Sequence, residues 1–533
     1  MGKKTITLIL LYCSLMASIQ AQTPSTLLTN ALVYDGSGAK PYQADVLLKS
    51  GIIFKISPNA EDLKDLVNTI DLKGQALAPG FIDLHSHAEQ SLLAMPHLDN
   101  LVQQGITTIL GGNCGFSPHD FQTFFSQVAP LAIGPNLALL VGHNSIREAV
   151  MGREQRLATE QELQQMRALI AKAMGLGAFG LSTGLKYVPG VYSDQAEVVA
   201  LAQETRSYQG FFTSHMRDEG SAIFSALDEV FAVATTAHIP VHISHHKIIG
   251  APNWGQAKQS LARINEMRNQ GHDITLDQYP YTASSTRISI LFPPWALAGS
   301  NEQLQQRLVE PSTRAKIKAA IIENIRTDRG GGDPARLQIA HFAANPQWDG
   351  KNFSQLLRLR AQEVSIENAA ELAMYIGQQG GAQGIFHAID EGDVQQIMQY
   401  AYTSIATDAA GANPDIGQPH PRSYGTFPRV LGHYVRELKL LTLAQGIHKM
   451  TGLPAQRMGL TDRGLIREGY AADLVVFDPA TIADQATFIS PHQDAIGITY
   501  VFINGQIAKS PQGLIHVGSG QILRHKVDNE KLL

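Results

Sequence analysis

The chain predicts an α/β protein, a TIM-like (β/α)8 barrel joined to a small β-sandwich or β-barrel domain built from both termini. Eight short apolar runs alternate with helix-length segments through the middle of the chain, the pattern of parallel βα units. Both ends carry instead β-branched runs broken by turns. At 533 residues, the length suits one barrel-sized domain plus a smaller one.

Residues 1–21 come first. Lys3 and Lys4 precede an apolar run from Ile6 to Ala17 and small residues ending at Ala21. That order predicts a cleavable signal peptide, cut after Ala21, and a periplasmic mature protein. The run is shorter than the roughly 20 residues of a membrane span, and nothing later reads as one. Residues 24–79 form the first part of the β domain, with LLTNALVYDGSG, ADVLLKSGIIFKI and TIDLKGQALAP as strand and turn sequences.

The barrel is predicted over 80–452. Its strands in order are GFIDLHSH, TTILGGNC, NLALLVGH, AFGLST, FFTSH, VHISHH, DITLDQY and TSIATD, with helical stretches such as EQELQQMRALIAKAMG between them. The gap before the eighth strand exceeds 100 residues. Its helix-like runs (302–326, 366–377, 391–401) and an extended LQIAHF predict an inserted subdomain or lid over about 287–400. Residues 453–533, with AADLVVFDP, ITYVFINGQIAK and GLIHVGSGQILR, complete the β domain.

Charge is nearly balanced, 42 basic against 47 acidic residues, with no Lys/Arg run. Nucleic acid is excluded as a partner on that ground and a small-molecule substrate is expected. Of two cysteines, Cys13 lies in the leader. The mature chain then keeps Cys114 alone, in GGNCGFSP, and forms no intramolecular disulfide.

Parallel barrels carry their chemistry at the C-terminal strand ends. Here those ends hold His85 and His87 (strand one), Cys114 (two), His215 (five), His245 (six) and Asp408 (eight). His85 and His87 alternate, so both imidazoles aim at one side. Nitrogen, sulfur and carboxylate donors together point to a metal centre, with Zn2+ favoured over nickel, cobalt or iron. His246 competes with His245 but faces the opposite way. Asp408, a carboxylate beside a cation, stays ionised and suits a general base. Glycines around Cys114 suit backbone lying close to metal and substrate.

These residues also carry a resemblance. APGFIDLHSHAEQ, GGNCGFSP, NLALLVGHNSIREAVMG, FGLSTGLKYVPG, SHMRDEG, ISHHK and HPRSYGTFPRVLG resemble the N-acyl-D-amino-acid deacylase (D-aminoacylase) group of the amidohydrolase superfamily. The tail MTGLPAQRMGLTDRGLIREGYAADLVVFDP is similar to the end segment shared across amidohydrolases. The resemblance implies hydrolysis of N-acyl-D-amino acids with one or two Zn2+ ions. It makes Cys114 the bridging ligand and groups it with His215 and His245 at the tighter site. His85, His87 and Asp408 serve a second, weaker site. Arg422 becomes the clamp for the substrate α-carboxylate, with Lys247 and Tyr281 as helpers.

The alternatives within the superfamily are a dipeptidase, such as an isoaspartyl-dipeptidase-like enzyme, and a hydantoinase-like cyclic amidase. The latter would bridge its metals with a carboxylated lysine, for which Lys186 is the candidate. His143 reads as a brace of the barrel mouth, Ser182 and Thr183 as a pocket-lining or structural turn, and Arg217, Asp218 and Glu219 as a substrate loop or a solvated rim.

Overall fold

The computed structural model describes residues 25–526 apart from 61, 63, 65 and 66. The expected leader, with Cys13 and the cut after Ala21, lies outside the described residues. The eight barrel strands are Phe81–Asp83, Ile106–Gly111, Asn136–Leu139 continued by Val141–Gly142, Gly180–Gly184, Phe211–His215, Val241–Ile243, Ile274–Gln278 and Thr403–Ile405. Each pairs in parallel with the next. The ring closes between strands one and eight, where Ser86 bridges Ala409 and the Asp408 N–H donates to the His85 carbonyl at 2.8 Å. Asp83 ties the same seam by accepting from the Thr407 N–H at 2.9 Å and the Thr407 hydroxyl at 2.5 Å.

These strands read as apolar runs because helices cover one face and the packed barrel interior covers the other. Ile109, Leu137, Leu181, Phe212, Val241, Leu276 and Ile405 are all buried. The helix Ile223–Ala237 shows the matching outer-layer pattern, burying Ile223, Ala226, Leu227, Val230, Phe231 and Ala234 at spacings of three and four. The helix Glu160–Gly175 starts on a capping box between Thr159 and Glu162.

The inserted subdomain has a sheet of its own. Ser284–Arg287 and Leu337–His341 flank Gln383–Phe386 in antiparallel pairing. Four helices, Asn301–Val309, Pro311–Asn324, Phe353–Leu359 and Ile366–Gln378, close a separate core around Leu291, Ile321, Phe342, Phe353 and Phe386. Its limits differ from the expected 287–400. The sheet starts at Ser284, and the helix Glu391–Gln399 belongs to the barrel. That helix accepts from Gln278 of strand seven at Val394 O and from Thr403 of strand eight at Ile397 O. An amphipathic helix read in isolation does not show which of two cores it serves.

The β domain is one nine-stranded sheet made from both ends of the chain. Ala76–Pro79 joins the halves, pairing in parallel with Thr26–Val33 and antiparallel with Leu474–Phe477. The sheet curls until Ile53 exchanges bonds with Gly469 and Tyr470, enclosing Leu28, Val33, Val46, Leu77, Leu474 and Phe502. The expected boundary at 453 falls inside a helix, Gly452–Met458; sheet pairing in the C-terminal half starts with Leu474–Phe477.

Candidate metal centre

The six donors predicted from the strand ends converge. Cys114 Sγ lies 3.3 Å from His85 Nε2, 3.5 Å from His215 Nδ1 and 3.4 Å from His245 Nε2. Asp408 Oδ1 lies 3.1 Å from His87 Nε2 and 3.6 Å from His85 Nε2. They form two groups that share Cys114: one with His85, His87 and Asp408, the other with His215 and His245. Two donors on one tetrahedral zinc, at about 2.3 Å for sulfur and about 2.0 Å for nitrogen, stand roughly 3.5 Å apart. The observed separations match that value, so the residues fit a metal, with the sulfur in the shared position.

Local backbone delivers these atoms. Cys114, His245 and Asp408 all adopt positive φ, +53°, +34° and +50°, a conformation that costs non-glycine residues of order 1–3 kcal/mol and clusters at functional sites. The glycines beside Cys114 have a nearer cause than the substrate. Gly112 and Gly115 have φ of +77° and +80°; a Cβ on the first would stand 2.1 Å from Leu140 O, and on the second 2.1 Å from Asn144 Oδ1. Ser182 braces the loop, donating to Gly112 O at 2.5 Å and accepting from the Gly115 N–H at 3.1 Å.

Carboxylates stand behind the imidazoles. Asp277 accepts from His85 Nδ1 at 3.3 Å, His242 Nε2 at 2.7 Å and the His245 N–H at 2.7 Å. Glu219 Oε1 lies 3.0 Å from His245 Nδ1 and 2.5 Å from Lys247 Nζ, and Oε2 lies 3.7 Å from His215 Nε2. Carboxylates in this position orient the rings and raise their basicity as ligands. Burial acts to raise the Cys114 thiol, but the charges of His85 and His245 outweigh it and hold it well below the ordinary thiol value. Burial and the neighbouring His245 charge push His215 down to about 4, leaving a neutral ligand at pH 7. Burial raises the Asp408 carboxyl, yet Arg422 and the His87 bond hold it well below the carboxylate range.

The remaining candidates divide. Arg422 starts the helix Arg422–Arg429 and donates through Nη1 to Asp408 Oδ2 at 2.7 Å. Lys247 reaches the site, held by Glu219 and by His245 O at 2.8 Å. Tyr281 does not face these cations. Its hydroxyl lies 3.5 Å from Pro421 O, and its ring packs on His420 and Phe488. The tyrosine in the mouth is Tyr279. Lys247 Nζ stands 5.6 Å and the Arg422 guanidinium 4.8 Å from its ring centre, and its buried hydroxyl has no hydrogen-bond partner. His246 points away, to Ser260 Oγ at 2.9 Å. His143 bonds Glu197 at 2.8 Å, clear of the donors. Lys186 pairs with Asp328 at 3.2 Å and Asp218 at 3.6 Å, outside both donor groups. That leaves a lysine-bridged centre without support.

The sequence matches the amidohydrolase family over residues 68–284 and 352–508. The chain belongs to the amidohydrolase family. It is 34% identical to a D-aminoacylase of Alcaligenes xylosoxydans xylosoxydans over 95% of this chain and 99% of that protein. A solved D-aminoacylase, described as having a binuclear metal centre, superposes with a TM-score of 0.79 and 32% identity, covering 94% and 99% of the two chains. An N-acyl-D-glutamate deacylase from Bordetella bronchiseptica, solved with zinc and a phosphonate mimic of the tetrahedral intermediate, gives 0.80 and 31%, covering 94% and 100%. The fold is therefore that of the metal-dependent amidohydrolases, and the chain is a hydrolase of linear amide bonds.

Sequence reasoning missed Asp277, Tyr279, Tyr187 and Arg329, and left Glu219 open as a rim residue. Glu219 is only 3% exposed. The Tyr187 ring lies 4.6 Å from that of His215. The one available signal was Asp277 itself, a carboxylate inside the otherwise apolar strand DITLDQY, where an unpaired charge would be costly.

Proposed function

We propose that this protein hydrolyses the amide bond of N-acyl-D-amino acids, releasing a carboxylate and a free D-amino acid. The observation that carries the reading is the Cys114 sulfur shared by two donor groups, in a chain whose full-length relatives are D-amino-acid deacylases. Cys114, His215 and His245 would hold a tight Zn2+ ion, and His85, His87 and Asp408 with Cys114 a weaker one. A bound ion supplies Lewis-acid polarisation of the amide carbonyl and acidifies water.

The chain's own groups do the rest. Asp408 is ionised and 8% exposed, with Oδ2 held by Arg422 and Oδ1 turned to the donors. It takes one proton from the attacking water as the C–O bond forms. It returns that proton to the amide nitrogen as the C–N bond breaks, so water and amide become acid and amine. Arg422, whose fork suits a carboxylate, and Lys247 hold the substrate α-carboxylate. The unpartnered Tyr279 hydroxyl donates to the same group, in the role first expected of Tyr281.

A panel of N-acetyl-D- and N-acetyl-L-amino acids tests this with zinc-loaded protein. Turnover of D-substrates is expected; turnover confined to L-substrates or cyclic amides overturns it. Among the described residues no helix is long and apolar enough to cross a membrane. The leader sequence supports export to the periplasm, and N-terminal sequencing of the mature protein should then read from Gln22. An intact Met1 would refute export by this route.

A further inference from the structure

The hydrolysis described above leaves one buried guanidinium in the mouth unused. Arg329 ends the π-helical turn Ile325–Arg329 of the inserted subdomain and is 3% exposed. The following glycines shape this turn. Gly331 and Gly332 have φ of +55° and +82°, and a Cβ on Gly330 would stand 2.7 Å from Ile325 O. The Gly332 N–H donates to that same carbonyl at 3.0 Å. Such π turns occur at functional sites more often than elsewhere.

Arg329 has too few partners for a buried guanidinium, which carries five N–H donors and a permanent charge. Nη1 donates to Ser284 Oγ at 3.2 Å, and Nε has no hydrogen-bond acceptor. Asp328 Oδ2 lies 3.6 Å from Nε, but Lys186 Nζ lies closer to that oxygen, at 3.2 Å. The other two mouth cations are neutralised: Lys247 by Glu219 at 2.5 Å, and Arg422 by Asp408 at 2.7 Å.

Its position relative to Arg422 gives this under-bonded charge, which shares Asp328 with Lys186, a use. Arg422 Nη2 donates to Ser285 O at 3.3 Å, while Arg329 is tied to the Ser284 hydroxyl. Two guanidiniums are therefore anchored to consecutive residues of one strand, Ser284–Arg287. Both act on Tyr279, and Arg329 also lies within electrostatic reach of Tyr187 and Glu219. Two forks anchored to neighbouring residues match two carboxylates on one small molecule.

We propose that Arg329 is a specificity residue that pairs with a side-chain carboxylate of the substrate, so that N-acyl derivatives of D-aspartate and D-glutamate are preferred over those of neutral D-amino acids. The assignment rests on the deacylase reading and names its substrate class. A neutral side chain leaves the buried guanidinium with one hydrogen bond and a share of Asp328, and those unmet N–H groups discriminate against it.

The test compares kcat/KM for N-acetyl-D-glutamate and N-acetyl-D-aspartate with that for N-acetyl-D-leucine, in the wild type, Arg329→Gln and Arg329→Lys. Wild type should favour the acidic pair by at least about 10-fold. Arg329→Gln should cut the acidic-to-neutral ratio by about 10- to 100-fold, mainly through KM, with Arg329→Lys between the two. Equal losses on all substrates would mean that Arg329 only holds the insertion, and would overturn the assignment. Wild-type product inhibition requires no variant: D-glutamate should compete more strongly than D-leucine, and equal inhibition overturns the proposal. A preference for N-succinyl-D-leucine over N-acetyl-D-glutamate would place the carboxylate on the acyl side and also overturn it. Turnover of neutral substrates with no acidic preference refutes Arg329 alone. No turnover of any N-acetyl-D-amino acid refutes the deacylase reading and this assignment with it.

Discussion

The two ends of the barrel use charge and backbone differently. At the mouth, left-handed backbone falls on three buried donors, Cys114, His245 and Asp408. At the floor it falls on Gly105, Gly177 and Gly271, or on Gln209 and His238, polar residues that are half-buried or exposed. The mouth also keeps atoms without a hydrogen-bond partner: His87 Nδ1, His215 Nε2, the Tyr279 hydroxyl and Arg329 Nε. The floor's charges are tied mainly to the fold. Arg457 bonds Thr275 at 2.7 Å and Asp273 at 2.5 Å, Lys449 bonds Tyr400 O at 2.6 Å and Thr403 O at 3.2 Å, and the Arg268 guanidinium stacks 3.3 Å from the centre of the Tyr402 ring. Left-handed backbone on buried non-glycine donors is concentrated at the mouth, where a ligand can relieve it. Unpartnered atoms, such as Arg268 Nε and the Tyr400 hydroxyl, occur at the floor as well.

Cys114→Ala breaks the contrast most completely. It removes the atom common to both donor groups, so zinc content by mass spectrometry and kcat/KM should fall together, the latter by on the order of 10^3-fold or more, beyond the ~100-fold of an outer-layer change. A variant retaining both would remove the basis of the metal reading.

At the floor the expected effect is on stability. Burial pushes Lys449 down to about 8 from 10.5, so between those values the unfolded chain binds more protons than the folded one. Stability should therefore rise with pH from about 8 to 10.5, by up to roughly 3 kcal/mol, and the full cost applies below pH 8. In Lys449→Met that slope disappears, while turnover at pH 7.5 stays as in wild type. Denaturant melts across pH check this, and an identical slope in both proteins would contradict it.

Asp277→Asn leaves the six donors in place and loosens what orients two of them. Zinc affinity, read by competition with a chromophoric chelator, should drop about 10- to 100-fold. Unchanged affinity would show that the imidazoles need no such support. Ser182→Ala should have the smallest effect, about 1 kcal/mol in a thermal melt, from losing the bonds that brace the Cys114 loop. A much larger loss would mean that the loop is less self-supporting than its glycines suggest.

The donor set was legible because strand ends are local features. A His-x-His at the end of an apolar run, a lone cysteine after another and single histidines or an aspartate after three more can each be read without knowing their neighbours. Tyr279 and Tyr281 show where that reading stops. Both sit in DQYPY and would share a face in an extended strand, but the Tyr281 N–H donates to Tyr279 O at 3.0 Å. That γ-turn sends the two rings apart. Glu219 reads as a loop charge until the chain returns 28 residues later with Lys247. Arg329 lies more than 80 residues beyond Lys247, in a segment whose helices and strands say nothing of which way it folds over the barrel.

The sequence by itself determined the barrel, its insertion, the two-ended β domain and the six donor residues that cluster at the strand ends, since strand periodicity and strand termini are written in consecutive residues. Only the tertiary structure decided which carboxylate backs which imidazole, which tyrosine enters the mouth, and that Arg329 of the insertion keeps its Nε without a hydrogen-bond acceptor while sharing the strand Ser284–Arg287 with Arg422. Those outcomes depend on which buried charges meet across the closed barrel. At short range and low dielectric, pairing outweighs any local preference of the segments that carry them.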